Sequence, residues 1–439
     1  MSTIHDACAI LSIGDELVLG EKLDTNTMWL SALLADVGAP PVEHVTVGDD
    51  LDLIASAMRR LAERAPLVIC TGGLGPTADD LTREGLARAM GDSLVRDDEA
   101  LAHIEEMFRK RGRVMNELNR VQTMRPSRAE CLRNDVGTAP GLHGHVDRGN
   151  GTSADVFCVP GPPREMKPMV EGLIVPRLRL RSQDRVRTKL IRVLGWAESD
   201  AAGVLKGSEG GDLLARTNDP VVGVTASAGE LTFRVRAKGD ESQATERLEW
   251  AAGRIREAFG ALCVGEDDES AAAATLRVLR ERDETLAVVE SCTGGMLGAT
   301  LTEVPGSSDV FLGGWITYTN AMKQGEVNVP GATIAEHGAV SEETARAMAL
   351  GGLFQSAADH ALAITGVAGP GGGSDEKPVG TVWIAHAWST AEGRGVEARL
   401  FHFPGDREIV RVRSVRAALA MLNLRVKGEP ERALVNEVR

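Results

Sequence analysis

At 439 residues the chain is too long for one hydrophobic core, so two to four domains are expected. Asp and Glu outnumber Lys and Arg by 63 to 49, and a net charge of −14 with only 3% aromatic residues excludes nucleic-acid binding through bulk charge or extensive base stacking. The start Met1-Ser2-Thr3-Ile4-His5-Asp6 has no signal-peptide pattern and no bilayer-length apolar run follows, so a cytoplasmic chain without membrane contact is expected; its six cysteines (Cys8, Cys70, Cys131, Cys158, Cys263, Cys292) lack any C-x-x-C pair and read as reduced, mostly buried thiols.

Ala7 to Ile13 reads as a buried strand, Asn26 to Val37 as an amphipathic helix, Leu53 to Ala62 as a second helix and Pro66 to Thr71 as another buried strand. This rhythm predicts a doubly wound, mostly parallel α/β sheet, whose ligands bind at the carboxyl ends of the strands. Two loops lie there: Gly14-Asp15-Glu16-Leu17, and Thr71 to Asp80, which carries three glycines, a proline and two adjacent carboxylates. The second suits a phosphate cradle with metal ligands beside it, although Asp79 and Asp80 could simply complement the dipole of a helix they open. It is neither a P-loop nor a Rossmann fingerprint. His143-Gly144-His145 sits in a Gly-rich hairpin and reads as a surface turn rather than a metal pair.

Thr188 to Leu194 and Gly229 to Ala237 alternate as half-exposed strands, with helical stretches at Glu198 to Leu205 and Glu246 to Phe259, so a small α+β domain is expected next. The Gly-rich stretch Gly207 to Gly211 carries Glu209, with Asp212 after it, where an RNA-reading G-x-x-G loop would be basic, which argues against RNA binding. The acidic run Gly265 to Ser270 is the best linker candidate before the last domain.

Leu286 to Val289 reads as a buried strand that runs into Glu290-Ser291-Cys292-Thr293-Gly294-Gly295, with a helix starting at Met296. A nucleophile is thereby placed where a strand feeds a helix, and the N–H groups of Thr293 to Gly295 are expected to hold a developing oxyanion. A serine hydroxyl needs a base, and a desolvated lysine can be one. Lys323 follows Tyr318, the only tyrosine, by five residues, and Tyr318 could relay or orient the proton. Cys292 is the rival nucleophile, because a thiol at a helix N-terminus is expected to have a lowered pKa. A second Gly-rich loop, Thr365 to Ser374, follows another strand-like run at Ala361 to Ile364.

The ordered set E-S-C-T-G-G, T-Y-x-N-x-x-K, G-A-V-S-E-E and T-G-x-A-G-P-x-G-G, across roughly residues 270 to 425, resembles the C-terminal domain of the CinA family. The resemblance implies a nicotinamide mononucleotide deamidase with Ser291 as nucleophile, Tyr318 and Lys323 as its activating partners, and no cofactor. It implies substrate contacts at Thr293, Gly294, Gly295, Thr365, Gly366, Gly369, Gly371 and Gly372. T-G-G-L-G-P-T-x-D-D, together with G-D-E-L, V-G-T-A-P-G and V-P-G-P-P-R-E-M, resembles the family's N-terminal domain, which has the molybdopterin-binding fold of MoeA and MogA. That likeness implies ADP-ribose pyrophosphatase activity with a divalent metal. Substrate contacts would be Asn26, Gly72, Gly73, Gly75, Thr77, Thr138, Pro160, Gly161 and Glu165, and metal contacts Asp15, Glu16, Asp79 and Asp80. The middle region is similar to the family's KH-like connector. The implied organisation is 1–172, 173–268 and 269–439: a homodimeric, bifunctional pyridine-nucleotide salvage enzyme acting on small nucleotides. The alternatives are a molybdopterin-binding or cofactor-assembly protein, and a non-enzymatic competence-associated partner.

Overall fold

A computed structural model describes residues 3–180, 185–207 and 211–438; Glu209 lies outside them. The chain forms two compact units, residues 1–187 with 238–245, and residues 188–237 with 246–439.

The first unit is built on strands β1 (Cys8–Ile13), β2 (Pro41–Val47), β3 (Leu67–Thr71), β6 (Glu130–Leu132), β7 (Gly141–Asp147) and β8 (Ser153–Val159), in the order β2-β1-β3-β8-β7-β6; β4 (Leu94–Arg96) and β5 (Met124–Pro126) pair separately. The first four are parallel, and β7 and β6 close the sheet antiparallel. Alternation along β1 explains the layers. Ala9, Leu11 and Ile13 pack with Ile54, Met58, Leu61 and Leu86 on one face, while Cys8 and Ile10 pack with Leu30, Leu34 and Met166 on the other. Each such aliphatic side chain, fully buried, stabilises the fold by roughly 1.5–3 kcal/mol. His143 and His145 lie within β7 itself rather than in a turn, because Leu142, Gly144 and Val146 supply the buried alternation that makes this segment a strand.

The second unit contains a small sheet ordered β10-β11-β9-β12 and a larger mixed one. The small sheet uses β9 (Arg185–Leu194), β10 (Val221–Ser227), β11 (Glu230–Gly239) and β12 (Cys263–Glu266). The larger uses β13 (Leu286–Glu290), β14 (Phe311–Ile316), β15 (His360–Gly366), β16 (Thr381–Thr390), β17 (Gly393–His402) and β18 (Glu437–Val438), in the order β14-β13-β15-β16-β17-β18. The helix Glu342–Ser356 lays Ala345, Met348 and Ala349 on Val289, Ala363 and Ala385.

The stretch Gly265 to Ser270 is not a free linker. Gly265 and Glu266 belong to β12, Glu266 pairs with Arg256 and Lys189, the Asp267 carboxylate accepts from Leu190 N at 2.9 Å, and Glu269 pairs with Arg277. An acidic run is an open linker only when its charges are solvated, and these have partners. The segment after the last long helix adds a strap: Glu429 accepts from Ala261 N at 2.9 Å, and Val435 N donates to Gly195 O at 2.8 Å. The chain goes from β1 to β2 on one side of it and then crosses to β3 on the other, and β14 and β15 flank β13 in the same way. Such reversals open a crevice at the carboxyl ends of the strands.

Candidate functional site

In the second unit the crevice lies beyond β13. Ser291 N donates to Ile364 O at 2.9 Å and Thr317 N to Glu290 O at 2.7 Å, so the turn after β13 is tied to both neighbouring strands. The helix Asn320–Val327, capped by the Thr319 side chain, brings Lys323 back beneath this turn. Lys323 is 1% exposed, and its Nζ donates to Ser291 Oγ at 2.9 Å and to Thr317 O at 2.7 Å. Burial without a carboxylate partner pushes the lysine pKa down to about 8. In the neutral amine the Thr317 carbonyl takes one N–H, and the lone pair can accept the Ser291 proton.

Cys292 is buried, and burial raises its thiol to about 11. The expected helix-terminus lowering fails for an identifiable reason. Glu290, 1% exposed, turns its carboxylate under the start of the helix Met296–Thr302 and accepts from Gly295 N at 3.1 Å, Leu297 N at 3.0 Å and Gly298 N at 2.8 Å. The Glu290 carboxyl oxygens already take the N–H groups of the positive end. These contacts engage two of the three expected oxyanion donors, since Gly295 N serves Glu290 and Gly294 N donates to Ser291 O at 3.1 Å, which leaves Thr293 N as the candidate. Thr293 Oγ1 is a fully buried hydroxyl without a partner beside the nucleophile.

Tyr318 does not complete a triad with Ser291 and Lys323. Its side chain is exposed, and its hydroxyl accepts from Arg407 Nη2 at 3.1 Å. Arg407 Nη1 donates to Gly369 O at 2.8 Å, and Arg411 Nη2 to Thr293 O at 2.7 Å. Two arginines one turn apart on the helix Arg407–Val426 thus hold the Gly-rich loop, Tyr318 and the Ser291 turn together. Gly371 has open space where a Cβ would stand, and Gly372 only one contact at 3.8 Å, as an approach surface for a ligand requires. Gly366 differs: a Cβ there would come 2.7 Å from Thr381 O and from Val382, so strand packing explains it, and a Cβ at Gly369 would meet Val379 at 2.6 Å. Thr365 is buried and donates its hydroxyl to Ala339 O at 2.7 Å.

In the first unit a cavity of about 600 Å³ opens at the ends of β1, β3 and β8. Asn26, Gly72, Gly73, Gly75, Thr77, Thr138, Pro160, Gly161 and Glu165 all line it, as do Glu16, Asp79 and Asp80. Asp15 does not; it exchanges hydrogen bonds with Asp49, each backbone N–H reaching the other carboxylate at 2.9 and 3.0 Å, and Asp49 lines the cavity instead. Asp80 does not open a helix, which begins at Thr82; its carboxylate accepts from Gly75 N at 2.7 Å and Thr77 N at 2.9 Å, closing the loop on itself. Arg83, buried below, donates to Leu74 O at 2.7 Å and Gly75 O at 3.0 Å. Gly72 has φ +102°, and a Cβ there would meet Ile13 O at 2.2 Å, so only glycine fits. Asn26 Nδ2 bridges Thr71 Oγ1 at 3.1 Å and Gly161 O at 2.7 Å, while its Oδ1 is buried without a partner.

The carboxylates Asp15, Glu16, Asp79 and Asp80 do not converge on one point: the one cluster of His, Cys, Asp or Glu with metal-ligand spacing among the described residues lies elsewhere. Instead Glu16, Asp79 and Asp80 line the cavity together with Asp49, and Asp15 stands behind Asp49. Burial first, and then the charges of Asp15, Asp79 and Glu16, raise the Asp49 carboxyl pKa. Lys22, 3.4 Å from Glu16, is the one lysine lining the cavity, and the remaining negative charge fits a hydrated divalent cation held by one or two carboxylates and completed by a ligand's phosphates.

Comparison with known proteins places this geometry. The CinA C-terminal domain pattern matches residues 268–426, and the probable molybdopterin binding domain pattern matches residues 9–180. A putative competence-damage inducible protein of Symbiobacterium thermophilum is 41% identical over 95% of this chain and 98% of its own length. The chain belongs to the CinA family. A CinA-like protein of Geobacter metallireducens is likewise 41% identical, over 94% of this chain and 97% of its own. Among solved structures, the competence/damage inducible protein CihA from Agrobacterium tumefaciens is 41% identical, covering 34% of this chain and 90% of that one with a TM-score of 0.33. The first unit therefore carries the family's molybdopterin-binding-type domain and the second its CinA domain. No helix among the described residues is long and apolar enough to cross a membrane.

Sequence reasoning missed Glu290, Arg407, Arg411, Asp49 and Arg83. Glu290 stood in view as the first residue of the motif, and a carboxylate at the end of a wholly buried strand is itself a signal. The arginines carried only their i,i+4 spacing at a helix start, which is common on solvated faces.

Proposed function

We propose that the second unit hydrolyses the carboxamide of nicotinamide mononucleotide, giving nicotinic acid mononucleotide and ammonia. The observation that carries this reading is the buried Lys323 amine 2.9 Å from Ser291 Oγ, with a pKa lowered to about 8. Neutral Lys323 takes the Ser291 proton as Oγ attacks the carboxamide carbon. The carbonyl oxygen becomes an oxyanion beside Thr293. The Lys323 ammonium then protonates the amide nitrogen, the C–N bond breaks, and ammonia leaves an ester on Ser291. Water, deprotonated by Lys323, attacks that ester, releasing the carboxylate and restoring the serine. Arg407 and Arg411 supply positive charge on the side where the nucleotide phosphate would lie. The test is ammonia release by the full chain from nicotinamide mononucleotide in the presence of chelator. Absence of turnover by folded protein refutes the reading.

The carboxylate-ringed cavity supports a second activity, hydrolysis of the ADP-ribose pyrophosphate. A divalent cation there would neutralise phosphate charge. Glu16, Asp49 and Asp79 would hold it, while Asn26 and the N–H groups of the Gly72–Thr77 loop would orient the dinucleotide. The measurement is AMP formation from ADP-ribose with and without added magnesium or manganese. A molybdopterin-binding role rests on fold likeness alone and finds no separate support in the side chains.

A further inference from the structure

We propose that His143, His145 and Asp155 form a binding site for a divalent transition-metal ion, zinc by its chemistry, separate from both sites above. His143 and His145 are alternate residues of β7 and face the same side of the sheet; in the β7–β8 register Asp155 stands directly opposite His145. His143 Nε2 and His145 Nδ1 both lie 2.9 Å from Asp155 Oδ1, and all three ligand atoms lie within 4.8 Å of one another. Tetrahedral zinc with bonds of about 2.1 Å sets its ligand atoms roughly 3.4 Å apart. Small side-chain rotations therefore suffice.

The surroundings fix which atoms are free to bind. Arg179 N donates to His5 Nδ1 at 3.0 Å, so the neutral His5 proton sits on Nε2 and is donated to Asp155 Oδ2 at 2.7 Å. One carboxylate oxygen is thereby clamped and Oδ1 is left for an ion. With His143 Nε2 on the ion, the ring's proton moves to Nδ1, which points at Glu130 Oε2 3.7 Å away. Glu130 is held in turn by a bidentate pair with Arg177 at 2.9 and 3.0 Å. A carboxylate behind a ligating histidine is the usual orienting partner. The His143 ring is stacked on Phe157 with centroids 4.1 Å apart, which limits its rotation. His145 is 57% exposed, so water has access to the fourth position. Two imidazoles and one carboxylate suit zinc or cobalt, whereas the all-carboxylate cavity suits magnesium or manganese. Asp155 lies five residues along β8 from Pro160 at that cavity, roughly 16 Å at about 3.3 Å per residue.

The test uses untagged full-length protein stripped by chelator and titrated with cobalt(II), followed by zinc competition. The expected result is one equivalent of cobalt(II) with the intense visible absorption of tetrahedral coordination, displaced by zinc. His145→Ala, at an exposed strand position that does not threaten folding, weakens binding at least tenfold, and Glu130→Gln weakens it by about tenfold. Asp79→Asn leaves the tetrahedral signal intact. Binding that survives His145→Ala and His143→Ala, a signal that follows Asp79 instead, or no saturation below millimolar metal overturns the site.

Discussion

Replacing Lys323 with Met tests the chemistry and the energetics of the site in one experiment. At pH 7 a lysine of pKa about 8 is roughly 10% neutral, against about 0.03% for an ordinary lysine at 10.5, a gain of about 300-fold in available base. Below pH 8 kcat/KM for deamidation should therefore rise about tenfold per pH unit and level off above it. Lys323→Met should cost roughly 10²- to 10⁴-fold and abolish that inflection. Stability carries the complementary signature. The folded pKa, about 8, lies below the unfolded value of 10.5, so between these values the unfolded chain binds the extra proton and the native protein gains stability as pH rises. Below pH 8 the folded protein bears the whole cost of holding a buried cation, up to about 3 kcal/mol at 1.36 kcal/mol per pH unit. The difference in urea-unfolding free energy, wild type minus variant, should therefore increase by up to about 3 kcal/mol from pH 7 to 10.5, whatever constant offset the lost hydrogen bonds add. Tryptophan fluorescence suits the assay because Trp196, Trp250, Trp315, Trp383 and Trp388 all lie in the second unit. A pH-independent difference, or an inflection that persists in the variant, would refute a neutral Lys323 base.

Ser291→Ala should remove nearly all ammonia release while Cys292→Ala leaves most of it, and Cys292 should resist iodoacetamide at neutral pH until the protein unfolds; the opposite pattern by mass spectrometry makes the thiol the nucleophile. Glu290→Gln places an amide beneath three backbone donors and should destabilise the second unit by about 1–3 kcal/mol in urea melts. Arg407→Lys, which loses the fork joining Gly369 and Tyr318, should raise KM for the mononucleotide more than it lowers kcat. In the first unit Asp79→Asn should shift the divalent-cation requirement of ADP-ribose hydrolysis without affecting folding, whereas Asp80→Asn should lower the melting temperature, because an amide cannot accept from Gly75 N and Thr77 N at once.

What was legible in the sequence was whatever the local pattern encodes. β1, β3 and β13 are short, β-branched, wholly buried runs, and glycines at the ends of β3 and β13 marked where the backbone must turn sharply. Ser291 and Lys323 were named from motif order, and the role of Lys323 as base came from the family resemblance together with the chemistry of a desolvated lysine. What remained hidden depended on partners distant in sequence. Arg411 meets Thr293 O across 118 positions, and Asp49 meets Asp15 across 34; neither pairing leaves any periodicity. Gly265 to Ser270 was misread for the same reason, since the cations that neutralise its acids lie on β9 and two helices. His143 and His145 were misread because the glycine between them suggests a turn, whereas its missing side chain makes room for Met90 and Leu86 against the sheet.

The strand reversal that opens a crevice occurs in both units, yet the two crevices are chemically opposite, and that contrast carries the functional argument further than the folds do. At the end of β3 the loop is closed by the Asp80 carboxylate, the cavity is also lined by Glu16, Asp24, Asp49, Asp79 and Glu165, and the loop is supported by Arg83, turned away into the core. A phosphate at that mouth needs more counter-charge than Lys22 alone supplies, and the divalent cation proposed above would provide it. At the end of β13 the buried carboxylate of Glu290 is fully committed to backbone N–H groups, and the other groups are Ser291, two arginines and, beneath the turn, the buried Lys323 amine. That crevice has positive charge from its own side chains and a lysine of lowered pKa beside the serine, the features on which the proposal of an anionic mononucleotide substrate rests. Exchanging the charge of one crevice should therefore change its ligand class before it changes its fold: Asp79→Lys should weaken the dependence of ADP-ribose binding on divalent cation, and Arg411→Glu should repel the mononucleotide. Isothermal titration with each ligand checks both. Unchanged affinities would mean that the loops, rather than their charges, select the substrate.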